Sequence, residues 1–121
     1  MGENTPHEIV DGFGAALRAG DVGSATALFS RHACFVTPDA TVIEGRRQIG
    51  GFLRQFCDIA GELTFEQRTM VTAGDVAIGS ENWTVQFAGD GGSVRRTTRS
   101  TIVLNRIEGF WRIAVVDPWR D

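Results

Sequence analysis

Residues 99–119, RSTIVLNRIEGFWRIAVVDPW, decide the fold. They predict two β-strands joined at the tight turn Ile107-Glu108-Gly109. Side chains alternate across a strand, so Arg99, Thr101, Val103 and Asn105 share one face of the first strand, with Ser100, Ile102, Leu104 and Arg106 on the other. The second strand runs from Phe110 to Val116 and then meets Asp117, Pro118 and Trp119. Polar and apolar groups therefore share a face, where an unpartnered polar group costs ~1–3 kcal/mol. The pattern predicts a lined cavity in preference to a plain solvent surface.

Upstream, the stretches 63–71, 76–87 and 94–106 predict further long strands. The turn signals Ala73-Gly74-Asp75, Gly89-Asp90-Gly91-Gly92 and Glu108-Gly109 separate the four. Two short strands, 33–37 and 41–44, are connected through Pro38-Asp39-Ala40. Helices come first. Thr5-Pro6-His7-Glu8 is a capping box with proline at the first helical position, Ile9, Phe13, Ala16 and Leu17 form the apolar stripe, and Gly20 stops the helix. Asp21 caps a second, short helix. A third follows Gly45, with Ile49, Phe52, Leu53 and Phe56 on one side. Gly50 and Gly51 weaken it by ~1 kcal/mol each, which permits close packing there or lets the helix move as a lid. Helices followed by a run of antiparallel strands give an α+β fold, a curved sheet wrapped around three N-terminal helices to leave a cone with an apolar throat.

At 121 residues the chain predicts one domain, residues 1–121. A net charge of −3 gives no electrostatic case for nucleic acid. No stretch approaches the ~20 apolar residues of a membrane span, and MGENTPHEIV has neither a basic n-region nor an apolar h-region, so the expected location is cytoplasmic. Cys34 and Cys57 fit no metal or redox spacing and predict buried free thiols. All twelve basic residues are arginine. Without lysine there is no Schiff-base or lysine-base mechanism. Without tyrosine there is no phenol to act as acid or oxyanion donor.

LRAGDVGSATALFSRHACFVTPDATVIEGRRQIGGFL (17–53) resembles the opening of the SnoaL-like branch of the nuclear transport factor two-like superfamily. RSTIVLNRIEGFWRIAVVDPW is similar to that branch's R-x-T-x-V-L-x-R-x-x-G-x-W-R-I ending. The likeness is nearest to the SgcJ/EcaC-type set, some of whose members sit in natural-product gene clusters. It implies a six-stranded curved, mixed and mostly antiparallel sheet, a pocket at the open end of the cone, and a homodimer through the outer sheet face. The fold hosts isomerases, dehydratases, epoxide hydrolases, cyclases and plain binding proteins, so it does not name a reaction. The superfamily's ketosteroid isomerases place a base immediately before the proline ending the first strand, which here is Thr37. Their second acid aligns with Thr101, and their oxyanion tyrosine has no counterpart. Limonene-epoxide hydrolases activate water with an Asp-Arg-Asp set, which Arg99 with Asp117 and Glu81 imitates only loosely.

The candidate catalytic residues are Asp117, Glu81 and Arg99. Glu81 shares a strand face with Ala77, Gly79, Trp83, Val85 and Phe87. Turned inward, it is a desolvated carboxylate suited to acid–base work; turned outward, it rims a dimer surface. Arg99 pairs near residue 81 or 82 across the hairpin, and turned inward it would hold a carboxylate or enolate oxygen. Asp117 lies where the resemblance implies a pocket mouth, although a β-bulge there would reverse the face it shows. Thr37, Asn82, Thr101, Trp83, Trp119, Phe52 and Phe56 complete the candidate lining. No cofactor or metal site is expected. Two function classes stand open. One is a cofactor-independent binder of a small apolar oxygenated metabolite, with isomerase, cyclase or dehydratase chemistry if it turns over. The other is a non-catalytic binding or dimerisation module.

Overall fold

The computed structural model describes residues 4–89 and 92–120, so Asp90 and Gly91 of the expected hairpin turn lie outside the described residues. Helix α1 spans Pro6–Ala19 and opens as the capping box predicts, with Thr5 Oγ1 accepting from the Glu8 amide at 3.2 Å. Helix α2, Val22–Ala27, is capped by Asp21. Helix α3, Gly45–Ile59, buries Ile49, Leu53 and Phe56. A Cβ on Gly50 would approach Thr26 Cγ2 to 3.3 Å, so the helices do meet closely there, whereas a Cβ on Gly51 would enter open space.

Six strands follow the order β2-β1-β6-β5-β4-β3 in one sheet. Their ranges are β1 Phe29–Val36, β2 Val42–Glu44, β3 Ala60–Ala73, β4 Val76–Gly89, β5 Gly92–Ile107 and β6 Phe110–Arg120. All pairings are antiparallel except β1 with β6, and the architecture is the expected α+β cone. The β5–β6 turn has φ 52° at Glu108 and 86° at Gly109, the left-handed pair that a two-residue hairpin needs to match strand twist.

Of the register shifts in the sheet, three set which way the candidate site residues look. In β3 the shift falls between Glu66 and Thr69, with Gln67 at φ 55°. In β6 one falls between Ile113 and Val115 and another between Asp117 and Arg120. Each inserts an unmatched residue and reverses the alternation beyond it. The expected inward stripe Trp111, Ile113, Val115 is thus cut short. Trp111 and Ile113 are buried, but Val116 takes the next core position in place of Val115. One hydrophobic core joins the helices to the concave face, from Val10, Phe13 and Leu17 through Leu53 to Trp83, Leu104 and Ile113.

Candidate functional site

The sheet divides the predicted site between its two faces. Glu81 is on the concave face, 6% exposed, opposite the buried Ser100 and on the same side as Trp83. Arg99 pairs with Asn82 and is therefore on the convex face. Its Nη1 donates to Asn82 Oδ1 at 2.9 Å and its Nη2 to Ser80 Oγ at 2.7 Å. The inward Arg99 that an oxyanion-holding role requires is not what the register gives, because the β4–β5 hairpin pairs it with residue 82 and not 81. Asn82 and Thr101 share this convex placement: Asn82 donates to Gln67 Oε1 at 2.9 Å, and Thr101 lies between Ser80 and Asp117.

Asp117 pairs with Thr101, so it too shows the convex side, and the cause is the bulge after Ile113. Unbroken alternation from Ile113 would have turned it inward. Its Oδ2 accepts from Arg120 Nε at 3.0 Å, and the side chain is 19% exposed. The second β6 shift returns Trp119 to the inside. Asp117, Glu81 and Arg99 are therefore not assembled around one point: the carboxylate of Glu81 and the guanidinium of Arg99 have a sheet between them.

The throat of the cone is filled. Trp119 meets Phe52, Phe56 and Trp83, Phe52 meets Phe35, and Trp83 meets Phe13 and Phe65, all with ring centroids 5.2–6.4 Å apart. Edge-to-face contacts at such distances add ~0.5–1.5 kcal/mol per pair beyond the area buried. The residues expected to line a hollow, Trp83, Trp119, Phe52 and Phe56, pack mainly on one another. Trp83 Nε1 is buried without an acceptor, and Trp119 Nε1 donates to the Val36 carbonyl at 2.6 Å.

Space remains at the mouth. A recess of about 120 Å³ is lined by Thr37, Pro38, Ala40, Asp117, Trp119 and Arg120, together with Val36. Thr37 Oγ1 donates to Asp39 Oδ1, and Thr41 N donates to the same oxygen at 3.3 Å. These bonds, that from Thr37 first, hold the Asp39 carboxyl below its ordinary value. Thr37 and Asp117 are the predicted polar residues that the fold brings together, with Trp119 beside them. They form a small polar rim against an aromatic wall.

A second cluster was not legible in the sequence. Arg68 Nε donates to Glu81 Oε2 at 3.2 Å, and its Nη1 pairs with Asp11 Oδ1 at 2.7 Å and lies 3.5 Å from His7 Nδ1. By alternation from Leu63 and Phe65, Gln67 would face inward; the β3 bulge puts Arg68 there instead. Glu81 thus faces inward but is engaged by a guanidinium. No group of three His, Cys, Asp or Glu side chains suited to a metal is present among the described residues. Cys34 and Cys57 are free and half-buried. Burial, and then the charge of Asp58, push the Cys57 thiol above its ordinary value.

A curved sheet on three helices, filled by aromatic rings and with a recess at a polar rim, defines the class of cone-shaped α+β proteins. Residues 7–116 match the model of the SnoaL-like domain, and the chain belongs to that family. Among curated proteins none matches this sequence. Among solved structures it is similar to Rv3472 of Mycobacterium tuberculosis, a protein of unknown function, at 20% identity and TM-score 0.82 over 95% of this chain and 73% of that one. Aln2 from a Streptomyces species gives 21% identity and TM-score 0.79 over 98% and 94%. An NTF2-like protein with a cystatin-like fold from Novosphingobium aromaticivorans gives 16% and 0.79 over 93% and 77%. At these identities the likeness shows the fold.

Proposed function

We propose that this protein is a cofactor-independent small-molecule-binding protein that takes an apolar, oxygenated metabolite at the mouth of the cone. The observation that carries the reading is the recess where Thr37, Asp117 and Trp119 meet. Trp119 offers an aromatic wall, Arg120 a donor, and Asp117 and the remaining lone pair of Thr37 Oγ1 acceptors to an oxygenated group, the mix a small-ligand site needs. Isomerase, cyclase or dehydratase chemistry rests at this mouth on Asp117 alone, itself paired with Arg120, because Arg99 is on the far face and Glu81 is buried and engaged by Arg68. Binding without turnover is therefore the better-supported reading. Two free thiols suit a reducing compartment, and we place the protein in the cytoplasm. Among the described residues no helix is long and apolar enough to cross a membrane.

An enolisable ketone, 2-tetralone, tests both halves. Titration followed by ¹H–¹⁵N NMR is expected to move the amides of Thr37 and Asp117 and the indole of Trp119, with Trp119→Ala weakening binding roughly tenfold. Deuterium incorporation at the ketone's α-carbon is expected at the buffer rate. Incorporation above that rate, lost in Asp117→Asn with affinity retained, would establish an enzyme and overturn the binding-only reading.

We also propose that two copies pair through the convex face. Support comes from a row of cross-strand partners, Val71, Ile78, Val103, Val115 and Cys34, which runs over β3, β4, β5, β6 and β1. Val71 is 64% and Ile78 50% exposed, an apolar stripe of the kind that marks interfaces. Sedimentation is expected to give a dimer, and Ile78→Asp a monomer that still binds at the mouth. A wild-type monomer at high micromolar concentration would refute the pairing.

A further inference from the structure

We propose a second binding site, for a small organic carboxylate with an apolar body, at the end of β1 and β6 remote from the mouth. A recess of about 250 Å³ opens there. Ser30 and Arg31 of β1, Arg112 of β6, Arg46 at the start of α3, and the β5–β6 hairpin tip form its walls. Mouth and recess lie at opposite ends of the parallel β1–β6 pair, so neither reading depends on the other.

The three guanidiniums are the reason for an anion. Arg46 donates from Nε at 3.0 Å and Nη2 at 2.8 Å to the Phe29 carbonyl, and Arg112 donates from Nη1 to the Ala27 carbonyl at 3.2 Å. Carbonyls fix where these forks point without neutralising them. Among the described residues none of the three enters an ion pair, although Arg68, Arg106 and Arg120 all do. In a chain with twelve basic and fifteen acidic residues, three unneutralised arginines around one recess reverse the local sign of charge. Glu108 is the one acidic wall, so the lining carries three positive charges less one negative, a net of +2.

The hairpin tip is the reason for an apolar body. Ile107 and Phe110 are paired across the turn and each is 47% exposed. A guanidinium fork matches a carboxylate bidentately, and an adjacent aromatic face takes a hydrocarbon ring. Glu108 repels a second negative charge, which favours a monoanion over a phosphate dianion. A cluster of merely solvated arginines would be expected to splay into water, not to have the fork of Arg46 and one arm of Arg112 held on backbone carbonyls beside an exposed phenyl ring.

The probe is benzoate, titrated into the 121-residue chain and followed by ¹H–¹⁵N NMR. Shifts are expected at Arg31 and at residues 108–112, not at Thr37, Asp117 or Trp119. Benzyl alcohol keeps the ring without the charge and inorganic phosphate keeps charge without the ring; each is expected to bind at least about tenfold more weakly. Arg31 makes no hydrogen bond that the fold needs, so Arg31→Gln is expected to keep the wild-type melting temperature while loosening benzoate roughly tenfold. Glu108→Gln is expected to tighten it severalfold by removing a like charge. The site is overturned if benzoate fails to bind or binds no better than benzyl alcohol. It is equally overturned if the shifts gather at the mouth, if phosphate binds more tightly, or if both substitutions leave the affinity unchanged.

Discussion

On the concave face of the sheet Glu81 is a buried carboxylate on the strand face of Trp83, held by Arg68 at 3.2 Å; on the convex face Arg99 is a half-buried guanidinium held by the neutral groups of Asn82 and Ser80. Both are charges on a sheet, and neighbouring positions of one hairpin supply them. The first is desolvated and needs its counter-ion. The second keeps contact with water and uses neutral acceptors. A charge's role here follows from the face it is on, and that face is set by register.

The largest effect expected from breaking the contrast is at Trp83. Trp83→Ala removes a fully buried ring packed on Phe13, Phe65 and Trp119, and should cost about 3–5 kcal/mol by urea unfolding. Arg68→Met should cost about 3 kcal/mol, because it leaves Glu81 buried without its partner; adding Glu81→Gln to the same chain should recover most of the loss. The convex counterpart is milder. Arg99→Gln should cost about 1 kcal/mol in the same assay and leave tetralone binding at the mouth unchanged, since water can replace Asn82 and Ser80. A loss at Arg99 as large as that at Arg68 would show that the two faces do not differ in the way described.

The smallest expected effect is at the rim. Hydrogen bonds from Thr37 and Thr41 favour ionised Asp39, so its folded pKa is below the ordinary 3.8. Stability from this group is present above its unfolded pKa and is lost as pH falls through the depressed folded value. An NMR titration should place the Asp39 midpoint below 3.8, and Thr37→Val should return it toward that value. An unchanged midpoint in Thr37→Val would remove Thr37 as the cause.

Much of the fold was legible because its signals are local. Thr5-Pro6-His7-Glu8, Asp21 and Glu108-Gly109 act through backbone groups a few residues away, and α1, α2 and the β5–β6 hairpin form where these motifs predict. The strands ran longer than their apolar cores suggested, since β6 continues through Pro118 to Arg120 and β1 begins at Phe29. Pairing with neighbours supplies ladder bonds that propensity does not foresee.

The site was legible in kind but not in arrangement. The family resemblance implied a pocket mouth near Asp117 and gave Thr37 and Trp119 as lining candidates, and these three do meet in one recess. The placement of Glu81 against Arg99 needed the β4–β5 register, the face of Asp117 needed the β6 bulge, and the presence of Arg68 inside needed the β3 bulge. The sequence by itself determined the elements, their order, and the absence of lysine and tyrosine chemistry. Only the tertiary structure decided which charges meet. A one-residue slip between strands costs little in composition or pattern, yet it carries every side chain beyond it to the other side of the sheet.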